Sequence, residues 1–198
     1  MAKVIQFPTP NPEKFGFKPV RKKKGTAHDK YGQLNLFAGA KVISLNQLSA
    51  FEEALMLDEQ GDSRAVSQYQ KAIEVGDSIA DAYCNLGILE SEHKNYSRAV
   101  DCFTKCLKEE PRHFEAHYNL ANVYTEIGNL SLAKIHYQIS IEVEPNFPNS
   151  HFNLGLTLAM SNEIDAAIES LNAYRTLVIP EDRIQAEELI TNLSRSLQ

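Results

Sequence analysis

The chain has 198 residues, of which 43% are hydrophobic and 23% are charged, and its formal net charge is −6. These proportions are ordinary for a globular domain, and no apolar run approaches the roughly 20 residues that a membrane-spanning helix requires. The first residues contain neither a long apolar stretch nor a small-residue cleavage site. We therefore expect no secretory signal, no membrane association and a cytoplasmic location.

The first 45 residues differ in composition from the rest of the chain. They carry nine Lys or Arg residues against Glu13 and Asp29, a net charge of +7, whereas residues 46–198 have a net charge of −13. Four prolines and the basic run 21–24 argue against a helix in this segment. The composition predicts a disordered, basic arm over residues 1–45.

A short pattern within the arm suggests an alternative function. Gln33, Leu34, Leu36 and Phe37 belong to the pentapeptide QLNLF, which resembles the bacterial sliding-clamp-binding motif. The alternative hypothesis is a DNA-associated accessory factor. Its QLNLF motif would bind the sliding clamp, and the basic block of the arm would contact the DNA phosphates. The competing interpretation is that the apolar residues of the motif pack over the first repeat. The acidic body argues against a nucleic-acid partner.

Residues 80–180 contain three windows, spaced by 34 residues, with the same pattern of side-chain size. Positions 8 and 20 of each window are small, and position 24 is large. The small residues are Gly87, Ala121, Gly155, Ala99, Ala133 and Ala167, and the large residues are Phe103, Tyr137 and Leu171. Small residues let paired helices cross closely, and large ones fill the space between hairpins. The pattern predicts helical hairpins over 80–113, 114–147 and 148–180.

These windows resemble the tetratricopeptide repeat (TPR) family. The runs YCNLG, HYNLA and HFNLG, at 83–87, 117–121 and 151–155, carry the resemblance together with the Ala, aromatic and Pro positions that follow. They are similar to the repeats in the superhelix of O-linked N-acetylglucosamine transferase. The resemblance implies an all-α fold, a right-handed α-solenoid whose inner face is lined by the first helix of each repeat.

The two ends of the repeat domain, 46–198, are less regular. We predict a degenerate first repeat over 46–79, with a turn at Gly61 that is one residue short. Residues 75–78 make the break that follows, with Asp77 or Ser78 as the helix N-cap. A capping helix is predicted over 181–197. The domain then has about four helix-turn-helix repeats and one further helix.

The TPR resemblance implies a protein-protein interaction module or adaptor that binds an extended peptide segment of a partner in its concave groove. The sequence contains no nucleotide-binding, nucleophile-elbow or zinc-protease motif, so we expect no enzymatic activity and no cofactor. By family resemblance, positions 2, 5, 6, 9, 12 and 13 of each repeat face the groove. The candidate groove residues are Asp81, Cys84, Asn85, Ile88, Glu92, Glu115, Tyr118, Asn119, Asn122, Glu126, Phe152, Asn153 and Leu156.

A column of asparagines is the first notable feature of these candidates. Asn85, Asn119 and Asn153 all lie at position 6. A side-chain amide offers both a donor and an acceptor, so exposed amides at this spacing would hold a peptide backbone whatever its side chains are. The alternative is that Asn is simply frequent before Leu-Gly in repeats of this type.

The charged candidates in the groove are all acidic: Asp81, Glu92, Glu115 and Glu126. The last repeat contributes an apolar end with Phe152, Leu156, Ala159 and Met160. Together they predict a partner segment that is basic and hydrophobic, and the chain's own arm is a second candidate occupant. The acids argue against the acidic tails of heat-shock chaperones, which require Lys and Arg in the groove. The competing interpretation is a merely solvated acidic face.

The three cysteines, Cys84, Cys102 and Cys106, are odd in number and lack zinc-ribbon spacing. Cys102 and Cys106 are four residues apart, which would place them on one helix face as a metal half-site. The alternative is that they are small buried helix residues and that the chain holds no metal.

Overall fold

The computed structural model describes residues 48–196, in which every regular element is an α-helix. The helices are α1 (Ala50–Glu59), α2 (Ala65–Glu74), α3 (Ile79–Glu92), α4 (Tyr96–Glu109), α5 (Phe114–Glu126), α6 (Leu130–Val143), α7 (Pro148–Met160), α8 (Ile164–Leu177) and α9 (Pro180–Ser196). This confirms the predicted all-α solenoid. The predicted arm with its QLNLF motif, and the last residue of the predicted capping helix, lie outside the described residues. None of the helices in 48–196 is long and apolar enough to cross a membrane.

The helices form four hairpins stacked in chain order. Within each hairpin α1 packs on α2, α3 on α4, α5 on α6 and α7 on α8, and α9 packs on α8. Successive hairpins are joined by the second helix of one and the first helix of the next. In the last three hairpins the first helices, α3, α5 and α7, also contact one another, more extensively than the second helices do. The first helices therefore line the inner face of the curve.

The crossing point of each hairpin requires a small residue. A Cβ atom added to Gly87 would lie 2.7 Å from Cε1 of Phe103, and one added to Gly155 would lie 2.8 Å from Cγ of Leu171. Both distances are shorter than real side chains adopt. The side chain at position 24 therefore packs directly over position 8 of its own hairpin, which explains the size pattern seen in the sequence.

The turn inside each hairpin contains one residue in the left-handed region. In the last three hairpins these residues are Lys94 (φ 61°), Gly128 (φ 78°) and Asn162 (φ 60°), each five positions before the small residue at position 20. In the first hairpin Gly61 (φ 66°) lies only four positions before Ala65. The first turn is thus one residue shorter, as its sequence predicts.

The first helix is fastened at its N-terminus by two sets of contacts. Ser49 forms a capping box, in which its Oγ accepts from the N–H of Glu52 and its own N–H donates to the Glu52 carboxylate. The N–H of Phe51 donates to Oδ2 of Asp77 at 2.8 Å. Of the two predicted caps for α3, Ser78 occupies the N-cap position without a side-chain bond to the helix, and Asp77 instead ties α1 to the turn before α3.

Candidate functional site

The structure divides the candidate groove residues by exposure. Those that are buried are Cys84, Asn85, Ile88, Tyr118, Asn119, Phe152 and Asn153. Asp81, Glu115, Asn122 and Leu156 are half-buried, while Glu92 and Glu126 are exposed. The expectation that the whole set lines an open groove is therefore wrong for the buried residues, and Glu92 and Glu126 are the candidates that are exposed.

The asparagine column connects neighbouring repeats. Nδ2 of Asn85 donates to Oη of Tyr69 at 3.1 Å, across the boundary between the first two hairpins. Nδ2 of Asn153 donates to Oη of Tyr118 at 3.2 Å and to Oδ1 of Asn122 at 3.0 Å. These amides are buried and engaged with the preceding repeat, so the expected exposed ladder of peptide-binding amides is not present.

Asn119 shows why the identity of position 24 matters. The preceding repeat has Phe103 there, which offers no hydroxyl group. Nδ2 of Asn119 instead donates to Sγ of Cys84 at 3.8 Å. The signal that sequence reasoning missed is the difference between Tyr69 and Phe103 at position 24: the Tyr offers a hydroxyl to the Asn at position 6 of the following repeat, and the Phe does not.

Asp58 lines a cavity of the first two hairpins, and the sequence analysis did not identify it. Oη of Tyr69 donates to Oδ2 of Asp58 at 2.9 Å, so the chain Asn85–Tyr69–Asp58 holds this carboxylate in a fixed place. Burial raises the pKa of Asp58, and the Tyr69 hydrogen bond opposes that shift. A neighbouring cation would stabilise the ionised form of a carboxyl group that is partly desolvated and oriented in this way.

A cavity of about 520 Å³ lies where the first two hairpins meet. It lies at the C-terminal ends of α1 and α3, next to the turn that follows α1. Its apolar wall includes Leu55, Val66 and Ile88, and its acids include Asp58, Glu59 and Glu92. None of the described residues that line it is Lys or Arg. A fourth acid of the lining, Asp62, is paired with Arg64, whose Nη2 lies 2.7 Å from its Oδ2. The cavity therefore combines apolar surface with several acidic side chains.

Glu92 is the predicted groove acid that the structure brings into this cavity. Burial raises the pKa of its carboxyl group, and the nearby Asp58 raises it further. The same two acids thus repel each other and are each partly removed from water. A positive charge placed between them would relieve both effects.

The acids of the second and third repeats contribute less to the open face. Oδ1 of Asp81 lies 3.0 Å from Nε2 of His113, and Oε2 of Glu115 lies 3.4 Å from Nδ1 of the same ring. Their side chains are only 21% and 17% exposed. The accessible acidity is therefore concentrated at the first cavity, with Glu126 exposed further along.

The expected apolar end of the groove is part of the core. The ring of Phe152 packs at 5.0 Å from the ring of Tyr174, and both belong to a cluster that includes Leu193 of α9. Ala159 is buried in the same cluster, and Leu156 is packed against it. Phe152 and Ala159 are therefore core residues, whereas Leu156 is half-buried and Met160 is exposed.

Stacked helical hairpins with close crossings define an α-helical repeat protein. Two tetratricopeptide-repeat profiles match the sequence, one at residues 80–113 and the other at 102–134 and 136–169. With the architecture described above, these matches show that the chain belongs to the tetratricopeptide repeat family. A comparison with curated proteins gives no match.

Solved structures share this fold. A crystal structure of MamA is 19% identical, covers 72% of this chain and 83% of its own, and superposes with a TM-score of 0.65. A MamA double mutant is 21% identical, with 74% and 93% covered and a TM-score of 0.58. The first TPR of Spaghetti (RPAP3), bound to the HSP90 peptide SRMEEVD, is 16% identical, with 60% and 92% covered and a TM-score of 0.56.

Proposed function

We propose that this TPR protein is an interaction adaptor that binds an extended segment of a partner protein. The segment places a basic side chain, next to an apolar one, in the cavity between the first two hairpins. The observation that carries the proposal is that Asp58 and Glu92 line one cavity together with apolar side chains, with no Lys or Arg among the described lining residues. The role is binding, with no catalytic step.

The dimensions of the cavity favour a chain segment over a folded domain. Its volume lies within the range of about 300–1,000 Å³ that is typical of ligand pockets, enough for one or two side chains. It lies where α1 and α3 end. An extended segment would therefore anchor here and continue along α5, towards exposed Glu126.

The charge of the site distinguishes this chain from the peptide complex of similar fold. The peptide in that complex, SRMEEVD, contains two glutamates and a terminal aspartate. At position 2 of its second and third repeats this chain has Asp81 and Glu115, and its cavity is lined by acids. We infer that the partner segment carries the opposite charge to SRMEEVD.

The proposal predicts that reversing one charge in the cavity weakens binding of the partner segment. The probe is a fluorescent peptide that alternates Lys and Leu, titrated into the full chain and followed by polarisation. Glu92→Lys should weaken binding by about tenfold or more, since a 1.4 kcal/mol loss suffices for that factor. Glu169→Lys is the matched control: this acid is exposed on α8, outside the cavity, and its reversal should change affinity less than about twofold.

Two further measurements make the result specific. The peptide SRMEEVD should bind more weakly than the basic probe. Replacing Arg21–Lys24 by serines in the full chain tests the arm as a rival occupant, and a marked gain in affinity would identify the arm as a competitor. Equal affinity for wild type, Glu92→Lys and Glu169→Lys would exclude the cavity as the binding site.

A further inference from the structure

Two cysteines and one histidine lie close together where the second and third hairpins pack against each other. Cys84 lies on α3, Cys106 on α4, and His113 is the N-cap of α5. One ligand atom from each lies within 4.8 Å of the others. All three residues are buried, with 0%, 0% and 2% of their surface exposed.

The chemistry of these three groups suits a soft divalent cation. Zinc is bound by thiolates at about 2.3 Å and by imidazole at about 2.0–2.1 Å, mostly in tetrahedral sites. Tetrahedral ligands at those lengths lie about 3.5–3.8 Å from one another. The present spacing would therefore need only a small contraction around an ion.

The groups around the cluster are those that surround metal ligands. Nδ2 of Asn119 donates to Sγ of Cys84, and an N–H bond to sulfur stabilises a thiolate. Oδ1 of Asp81 lies 3.0 Å from Nε2 of His113, and the N–H of Ala116 donates to Nδ1 of the ring at 3.1 Å. An ion bonded through Nε2 would replace the first of these contacts and would lie next to the Asp81 carboxylate. The ring proton would then be on Nδ1, so the hydrogen bond from the Ala116 N–H would be lost, and Oε2 of Glu115, 3.4 Å from Nδ1, would accept the Nδ1–H.

We propose that Cys84, Cys106 and His113 form a structural site for a thiophilic divalent cation such as Zn²⁺, with Asp81 as the fourth ligand. The ion would join α3, α4 and α5, and so fasten the second hairpin to the third. Because the residues are fully enclosed, its role is to stabilise the stack of repeats rather than to activate a substrate. This proposal is independent of peptide binding at the first cavity.

The chain offers a matched control for this site. Cys102 precedes Cys106 by one turn of α4 but packs against the cluster of the first hairpin, whereas Cys106 belongs to the cluster of the second. It is also half-buried rather than enclosed. Cys102→Ser removes a thiol from the same helix without removing a proposed ligand.

The test uses the reduced full chain, with Co²⁺ and Zn²⁺ as probes. Wild type and Cys102→Ser should bind about one equivalent of Co²⁺ with a thiolate charge-transfer band, and Zn²⁺ should raise their Tm. Cys106→Ser should lose both responses. If Cys106→Ser fails to fold, His113→Asn provides the second variant, because Asn retains a good N-cap acceptor while removing the imidazole.

Affinity for Co²⁺ should fall by more than about tenfold in Cys106→Ser and His113→Asn. The proposal is overturned if wild type takes up no stoichiometric ion, or if all variants bind equally. It is also overturned if Cys102→Ser abolishes uptake, because the ion would then be held by the Cys102–Cys106 pair on α4.

Discussion

Gly87→Leu should destabilise the repeat domain by about 1–3 kcal/mol or more, measured by urea unfolding. A single added Cβ atom would already lie 2.7 Å from the ring of Phe103, and that ring is fully buried between α3 and α4. The leucine must therefore push the two helices apart or force Phe103 out of its rotamer. Gly87→Ala should have a smaller effect of the same sign, because it adds only the first atom of the clash.

The compensating variant makes this prediction specific to the crossing. Gly87→Leu combined with Phe103→Ala should recover part of the lost stability, since the removed ring leaves space for the new side chain. The two changes should be non-additive because their side chains share one space. A Gly87→Leu protein that unfolds at the wild-type urea concentration would show that α3 and α4 do not cross here.

Asn153→Ala should lower the free energy of unfolding by about 1–3 kcal/mol, because it removes the donor that joins two repeats. Asn153 is 8% exposed and bonds to Tyr118 and Asn122 on α5, so its loss leaves buried polar atoms poorly satisfied. Asn95→Ala is the control. Its Nδ2 also donates to a side chain, that of Glu90, but at an exposed site, and the expected change is below about 0.5 kcal/mol.

A double-mutant cycle separates the bond from general packing. Tyr118→Phe removes only the hydroxyl that accepts from Asn153, and the two substitutions should show a coupling energy of about 0.5 kcal/mol or more. Additive effects would mean that Asn153 stabilises the fold by packing alone and not through its hydrogen bond to Tyr118. They would contradict the interpretation of these amides as links between repeats.

The fold was predictable because side-chain size repeats at a fixed interval. Gly87 and Phe103 are 16 residues apart, and the same small–large pair recurs in the next two windows, which implies a recurring helix crossing. Such a pattern reports on contacts made in every repeat. The left-handed turn residues Gly128 and Asn162 were predictable for the same reason, since Gly and Asn are suited to positive φ.

The site was less predictable because it depends on contacts that differ from one repeat to the next. Asn85 and Asn119 share a repeat position, yet one meets the hydroxyl of Tyr69 and the other the sulfur of Cys84. Asp58 was missed because the irregular first turn shifts its register. Helical spacing placed Cys102 with Cys106, but the structure packs them in different clusters and brings Cys84 to Cys106 instead.

The most direct test of the proposed function is to map the binding of the Lys/Leu peptide on the 22.2 kDa chain by amide NMR. The account predicts saturable shift changes centred on the ends of α1 and α3, around Asp58 and Glu92, with lesser changes along α5. The second helices α6 and α8 should be unaffected. Shift changes centred on those outer helices, or no saturable change at the first cavity, would contradict it.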